Sequence, residues 1–384
     1  MTLSVGFLGY RFIGTAHANA LARLGMFFPD APTVERDVLV GRDEAALSDA
    51  VDRLGFDRYA TDWREVVEDV DVFYNLGPNN VHAEPSIAAL EAGTHVFCEK
   101  PLAHTVADAE RMADAAAASD ATAGVAFNYR FVPAIRYAKR LVDDGALGEI
   151  RHVRAKYLQD WLVDPTAPWS WRNSEEIAGS GALGDLGAHS LDLAQFLLDD
   201  PVARVSGHLK TFVDERPVPD EAGEALDAEG EESTETRPVT VDDAYTAQVE
   251  FDSGAMGLFE ASRYATGRKN ANVIEINGSA GSIRFDLERL NELEVHTDDS
   301  RGFETVMVTD PDDPYVDRWW PPGHVLGWEH TLVHENYEFL SVVASGEAHA
   351  PDFQAGLHVQ HILDAVERSN DRGEWVNVRE ASKL

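Results

Sequence analysis

Residues 5–21 read VGFLGYRFIGTAHANAL: an apolar run, a glycine-bearing turn, then helical texture. A dinucleotide-binding turn of the form G-x-G-x-x-G would place glycines at 9, 11 and 14, the second of them letting backbone approach a pyrophosphate closely. Gly9 and Gly14 are present, but position 11 is Arg11. Strand, glycine turn and helix in that order give the pattern its weight. A helix N-terminus there offers unbonded N–H groups and a partial positive charge to a phosphate. Arg11 gives up some closeness of approach and sets a cation where adenosine phosphates would lie. Phe12 and Ile13 complete the expected cofactor turn. The competing reading is a glycine-containing β-to-α turn with no ligand.

Outward from this turn, the first 128 residues alternate short apolar runs (LSVGFLG, VERDVLVG, VDVFYNLG, THVFCE, ATAGVAFN) with longer segments of helical spacing. That rhythm predicts βαβ units and a parallel sheet whose ligand lies at the strands' carboxyl ends. After Asn128 the texture changes. A helical stretch, PAIRYAKRLVDDG, and a strand, EIRHVRAKYLQDW, precede an irregular Trp-, Pro- and Ser-rich segment and the helix signal GDLGAHSLDLAQFLLD. Strand-like runs then follow in succession, separated by turns that suit antiparallel neighbours. Helical patterns near 326–345 and 353–370 close the chain. The expected fold class is α/β: a Rossmann dinucleotide-binding domain over 1–128, then an α+β domain over 129–384 with a large, mostly antiparallel open sheet. Residues 214–240 are acidic and contain proline, and read as a long, mobile surface excursion between two strands. Internal repeats are not evident.

Charge is the most unusual bulk property of these 384 residues. Acidic residues number 68 against 32 basic, a formal net charge of −36, and only six of the basic residues are lysine. Such a surface repels phosphates, which argues against nucleic acid or anionic membrane as partner. Acid-rich, lysine-poor surfaces suit a salt-filled cytoplasm in which self-repulsion is screened, so a halophile's protein is expected. The single cysteine, Cys98, excludes an internal disulfide and a cysteine-based zinc site. Its apolar surroundings predict a buried strand residue. With no signal-like leader and no apolar run long enough to span a bilayer, a soluble cytoplasmic protein is expected. The fourteen histidines are scattered, and no metal site is suggested.

Three further stretches carry chemistry. The second strand ends in VLVGRDE, with Gly41 and Arg42 where an acid would accept hydrogen bonds from the ribose of NAD. A small residue followed by a guanidinium leaves room for the 2′-phosphate of NADP and offers it a charge-assisted fork. Asp43 leaves the NAD reading open, since a two-residue slip would make it the ribose ligand. In FCEKPLA, Lys100 follows Glu99 at the carboxyl edge of the sheet, and Pro101 forces a turn; a cis Glu99–Lys100 peptide would aim the lysine. In GDLGAHSLD, Asp185 and His189 stand four apart and Asp192 three further on, so all three are expected to share one helix face. A carboxylate beside an imidazole raises and orients a general base.

With GYRFIGTAHANA, EKP and GDLGAHSLD in that order, the chain resembles the Gfo/Idh/MocA family of nicotinamide-dependent sugar oxidoreductases over essentially its whole length. GPNNVHAE and FNYRFVPA fit the same family, and YLQDW with WSWR and GSGALGD resembles its inositol and anhydro-sugar branch. The resemblance implies that Lys100 hydrogen-bonds the reacting hydroxyl and that Asp185 and His189 are the carboxylate–histidine pair, His189 accepting the proton. It implies cofactor-lining roles for Gly77, Pro78, Asn79, His82, Glu99, Lys100 and Asn128. Arg130, Tyr157, Gln159, Asp160, Trp171 and Arg172 become candidates to shape the sugar pocket, with His324 of WWPPGH a further one. A homodimer or homotetramer packed through the open face of the second sheet is also implied.

The reading is therefore an NADP-preferring dehydrogenase of a pyranose, inositol or anhydro-sugar hydroxyl, with NAD as the alternative cofactor. Two other functions remain open on the same fold: a nicotinamide-dependent glycoside hydrolase whose oxidation is transient, and a sugar- or dinucleotide-sensing regulator without turnover. Sensing alone has no need of Lys100, Asp185 and His189 together.

Overall fold

The computed structural model describes residues 1–218, 235–297 and 300–378. Two units divide the chain: Met1–Val132 with Asp310–His358, and Pro133–Thr309 with Val359–Leu384.

In the first unit, β1 (Thr2–Leu8), α1 (Phe12–Phe27), β2 (Thr33–Val40), α2 (Glu44–Leu54), β3 (Arg58–Ala60), β4 (Val72–Asn75), α3 (Ala83–Ala92), β5 (His95–Cys98), α4 (Val106–Ala118) and β6 (Ala123–Val125) follow one another. All six strands are parallel, in the order β3-β2-β1-β4-β5-β6. Helices on both faces explain why the central strands read as unbroken apolar runs: Val5, Phe7, Phe73, Tyr74, Val96 and Phe97 have no exposed surface. Cys98 is buried at the end of β5, as its surroundings predict, and burial pushes its thiol well up. The short β3 carries no apolar run and goes unread in the sequence.

Strand order reverses between β1 and β4, so the loops leaving their carboxyl ends flank the crevice where doubly wound sheets bind ligands. The chain is tightest there. Gly9 has φ +111°, and a Cβ on it would lie 2.6 Å from the Leu76 carbonyl oxygen at the end of β4. A Cβ on Gly14 would lie 2.5 Å from the Gly9 carbonyl oxygen. Glycine is thus required at both positions by backbone approaching backbone.

The second unit opens with α5 (Pro133–Asp143) and β7 (Ile150–Leu158), followed by α6 (Glu175–Ala178), a π-helical turn (Leu183–Gly187) and α7 (Ala188–Leu198). Then come β8 (Val202–Lys210), β9 (Glu215–Pro217), β10 (Thr236–Pro238), β11 (Ala244–Phe251), β12 (Met256–Ser262), β13 (Ala271–Gly278), β14 (Gly281–Asp286), β15 (Glu292–Thr297), β16 (Glu304–Met307) and the terminal β17 (Val376–Asn377). The large sheet runs β16-β15-β14-β13-β7-β12-β11-β8-β17, and only β7–β12 is a parallel pair among its described strands. Along β11, Tyr245, Ala247, Val249 and Phe251 are buried while Thr246 and Gln248 are exposed, the alternation of a sheet covered on one face. Polar β15 and β16 at the sheet edge were not legible as strands.

The acidic stretch 214–240 is not wholly a loose excursion. Its two ends pair as antiparallel β9 and β10, and residues 219–234 lie outside the described residues. Arg216 on β9 is fully buried, donating to the carbonyls of Leu162, Asp164 and Ala167 and to the Tyr264 hydroxyl. The stem is thereby rooted on the irregular segment that follows β7.

Residues 310–358 differ from the expectation that everything after 128 belongs to the second domain; they are part of the first unit. In this return, α8 (Trp328–Ser345) packs along α1, with Phe339 against Phe97 at 4.6 Å between ring centres. Arg318 forks onto Asp30 at 2.7 and 2.9 Å. Helical spacing predicts that α8 has a buried face but does not say what covers it. Finally, α9 (Phe353–Arg372) begins in the first unit and continues into the second. Among the described residues no helix is long and apolar enough to cross a membrane.

Candidate active site

In the first unit, the turn after β1 leaves the α1 N-terminus without a side-chain cap, Arg11 standing exposed at the cap position. Phe12 and Ile13 begin that helix, and the exposed Phe12 ring stacks on Trp328 at 5.7 Å. Gly41 at the end of β2 does not simply leave a gap: a Cβ on it would overlap the Tyr10 ring. Tyr10 therefore fills the space expected to be open, a neighbour the sequence does not announce. Arg42 beside it is exposed. Asp43 is exposed and caps α2, its Oδ1 accepting the N–H groups of Ala45 and Ala46.

Asn75, at the end of β4, donates to the carbonyls of Val81 and His82 and to Ser86 Oγ. It thereby shapes the turn carrying Gly77, Pro78 and the buried Asn79. His82 corrects an expectation. It has no exposed surface, and its ring lies against the carbonyls of Gly77 (3.0 Å), Pro101 (3.1 Å) and Leu102 (3.2 Å). Burial holds its pKa below the usual histidine range despite those carbonyls. Instead of lining a ligand with its side chain, it ties the turn after β4 to the turn after β5.

Lys100 follows β5 at the sheet's carboxyl edge, half-buried, and its N–H donates to Glu99 Oε2 at 3.1 Å. The cis peptide is Lys100–Pro101, not Glu99–Lys100. Asn128, nearly buried, donates to Thr331 Oγ1 of α8 at 2.8 Å, and Arg130 follows in the same turn. His324 lies in an exposed loop of this unit, its Nδ1 2.8 Å from the Pro321 carbonyl.

In the second unit, Asp185 sits in the π-helical turn and His189 in the first turn of α7. The π turn breaks the regular helical spacing assumed for Asp185, His189 and Asp192; such turns concentrate at functional sites. It is held by a residue the sequence reading missed. The Asp242 carboxylate accepts the N–H of Gly181 (2.7 Å) and of Leu183 (2.9 Å). A Cβ on Gly181 would overlap the Asp242 carbonyl, which explains the glycine in GSGALGD. Burial raises the Asp242 carboxyl, against the lowering effect of nearby Arg263.

The Tyr157 ring lies 5.9 Å from that of His189. Tyr157 donates its hydroxyl to Asn270 Oδ1 at 2.7 Å, and Gln159 donates its amide to the same oxygen at 2.8 Å while accepting from Trp161 Nε1. Asn270 is a second missed residue, found only because β7 and β13 are neighbours. Asp160 accepts from Lys269 Nζ (2.8 Å) and Gly267 N (3.0 Å), and Lys269 above all holds its carboxyl below the usual range. Trp171 carries the Arg172 guanidinium over its ring at 4.4 Å. Buried His189 and a three-residue amide–phenol cluster thus stand close together in this unit.

Residues 3–127 match the family description "Oxidoreductase family, NAD-binding Rossmann fold", and residues 135–284 match "GFO/IDH/MocA C-terminal domain". The chain belongs to the GFO/IDH/MocA oxidoreductase family. It is 40% identical over 388 residues to the levoglucosan dehydrogenase of Pseudarthrobacter phenanthrenivorans, covering 99% of each chain. Among solved structures, an oxidoreductase domain protein from Kribbella flavida matches with TM-score 0.92 at 48% identity, over 99% of this chain and 100% of that one. A levoglucosan dehydrogenase in complex with NADH and levoglucosan matches with TM-score 0.92 at 39% identity, over the same shares. This GFO/IDH/MocA chain is thus a nicotinamide-dependent oxidoreductase, and its uncapped α1 N-terminus with side-chain-free Gly9 and Gly14 fits such a cofactor.

Proposed function

We propose that this oxidoreductase oxidises a hydroxyl of an anhydro-sugar, inositol or related pyranose, with NADP⁺ preferred over NAD⁺. The sugar reading is carried by the Tyr157–Asn270–Gln159 cluster beside His189. Hydrogen-bonding groups fixed in advance reject analogues that lack the matching hydroxyl. The full-length likeness to levoglucosan dehydrogenase supports the anhydro-sugar class.

The roles are those the family resemblance implies for these residues. When bound, the nicotinamide cofactor accepts the hydride released from the carbinol carbon. The N–H groups at the start of α1, from Phe12 and Ile13 onward, would hold its pyrophosphate, with Arg11 adding charge. Gly77, Pro78, Asn79 and Asn128 line the same expected surface. The Lys100 ammonium hydrogen-bonds the reacting hydroxyl and steadies negative charge as it develops on that oxygen. His189 takes the hydroxyl proton, and Asp185 favours the imidazolium so formed.

The NADP preference rests on Arg42 and Asp43. Asp43 caps α2 through its Oδ1, whereas the exposed Arg42 guanidinium is suited to a 2′-phosphate.

A homo-oligomer built through the open face of the large sheet completes the reading. Met256 and Leu258 of β12 are exposed there, and Arg154 and Glu275 beside them supply both signs of charge. Light scattering that finds a monomer at all concentrations would remove this element.

The test is a panel of aldoses, inositols and anhydro-sugars against NAD⁺ and NADP⁺ in molar KCl, followed by reduced nicotinamide. Catalytic accumulation with an anhydro-sugar or inositol supports the dehydrogenase. Sugar cleavage without net reduction would point to a glycoside hydrolase, and binding without either reaction to a regulator.

A further inference from the structure

A chain of buried polar side chains ends at Glu99. Tyr74, His17 and Asn336 have no exposed surface, and Glu99 retains 8%. The Tyr74 hydroxyl donates to Asn336 Oδ1 at 2.8 Å, and Asn336 Nδ2 donates to the Leu332 carbonyl at 2.8 Å. The orientation of the amide is thereby decided, because only its NH₂ can serve a carbonyl. The second amide hydrogen faces His17 Nδ1 at 2.9 Å, so that nitrogen must accept. The imidazole proton is then on Nε2, which meets Glu99 Oε1 at 3.3 Å. The other carboxylate oxygen, Oε2, accepts the Lys100 N–H at 3.1 Å.

Each member has one arrangement open to it. Turning the amide would set its carbonyl against Leu332, and moving the imidazole proton to Nδ1 would leave two donors facing each other. In a dry interior such mismatches are costly, and a fully satisfied network specifies one geometry. The relay therefore fixes the Glu99 carboxylate, and through it the peptide group from which the Lys100 side chain departs.

We propose that His17 and Asn336 are positioning residues for Lys100, holding the Glu99 carboxylate against the Lys100 backbone N–H through a single imidazole tautomer. His17 lies within the first helix beyond the glycine turn, and Asn336 comes from α8, more than three hundred residues later. Neither is placed to touch substrate. The inference deepens the assignment of Lys100 to the reacting hydroxyl and rests on that reading for its kinetic consequence. The geometric part stands without it.

The experiment uses the full-length protein in three variants: Asn336→Asp, which is nearly isosteric but presents only acceptors when ionised, His17→Gln, which keeps a donor towards Glu99, and His17→Leu, which does not. Without cofactor or sugar, nitrogen NMR of ¹⁵N-labelled protein reads the His17 tautomer, assigned by the signal lost in His17→Gln, together with the Lys100 amide. The expected result is an Nε2–H tautomer in the unsubstituted protein. In Asn336→Asp, Nδ1 should gain a proton towards the new carboxylate while Nε2 keeps its own towards Glu99, and the charge so placed beside Glu99 should shift the Lys100 amide resonance. With NADP⁺ and sugar, kcat should fall by about 10- to 100-fold in Asn336→Asp and His17→Leu, the scale of a misplaced catalytic group. Cofactor Kd and sugar KM should change by less than about threefold, and His17→Gln should recover part of kcat. An Nδ1–H tautomer in the unsubstituted protein, or a Lys100 amide indifferent to Asn336→Asp, would overturn the proposal. So would kcat, KM and cofactor Kd moving in parallel with melting temperature across all three variants. If the unsubstituted protein oxidises no sugar, the functional reading fails, while the NMR outcomes still decide the relay.

Discussion

The Tyr157 ring lies 5.9 Å from His189, tilted by 58°, while its hydroxyl donates to Asn270 Oδ1 at 2.7 Å. The ring supports the proposed base and the hydroxyl belongs to the polar wall. Replacing Tyr157 by Phe keeps the first and removes the second. The expected result is a rise in sugar KM of about tenfold, the worth of one buried hydrogen bond, with cofactor Kd unchanged. Steady-state kinetics beside a cofactor fluorescence titration separates the two.

Lys100 stands at the end of β5 with its backbone held by Glu99. Lys100→Met preserves most of the side-chain volume and removes the charge. Turnover should fall by about 10³-fold, as when an oxyanion-stabilising donor is lost, while NADPH still quenches and binds normally. Retained turnover would take Lys100 out of the reacting set.

Arg42 and Asp43 are neighbours with separate tasks. Arg42→Ser should weaken NADP⁺ by about 10- to 100-fold, the scale of a charge-assisted pair, and leave NAD⁺ nearly unchanged; Arg11→Ser should act in the same direction. Asp43→Ala should instead lower stability by about 1 kcal/mol through the lost cap of α2, without altering the NADP⁺/NAD⁺ ratio. Calorimetric titration with each cofactor and thermal melts test both statements.

Glu367 of α9 supplies a pH prediction. Burial, reinforced by the charges of Asp242, Asp364, Glu175 and Asp371, raises its carboxyl to about 8. The folded chain then binds a proton there that the unfolded chain has already released, so this group's contribution to stability falls as pH rises from the ordinary carboxyl value towards about 8. Glu367→Gln should melt higher than the unsubstituted protein at pH 8, and the gap should close near pH 5. Melting temperatures across that range check the sign.

The parts of the fold legible in the sequence were those with local causes. The glycine turn at 9–14 is forced by backbone contacts within and beside it, and the apolar strands of the first unit are buried on both faces. Arg11 and Lys100 occupy turns whose positions follow directly from the strands preceding them. What escaped depends on partners distant in sequence. Residues 310–358 join the first unit because α8 packs along α1, and helical periodicity cannot name its neighbour. Tyr10 over Gly41, Asp242 at the π turn and Asn270 beneath Tyr157 and Gln159 are all meetings of separate segments. The π turn has no periodicity of its own in five residues, so Asp185 and His189 read as a plain helical pair. His17 carries no local sign of its role, because its meaning lies in Asn336, far along the chain.

The most direct measurement is formation of reduced nicotinamide when levoglucosan is added to the protein with NADP⁺ in molar KCl, with enzyme and product counted. The account predicts many equivalents of NADPH per protein chain, at a higher kcat/KM than NADH formation from NAD⁺, and an oxidised sugar in equal amount. One equivalent or none, with levoglucosan and the rest of the sugar panel alike, would contradict it.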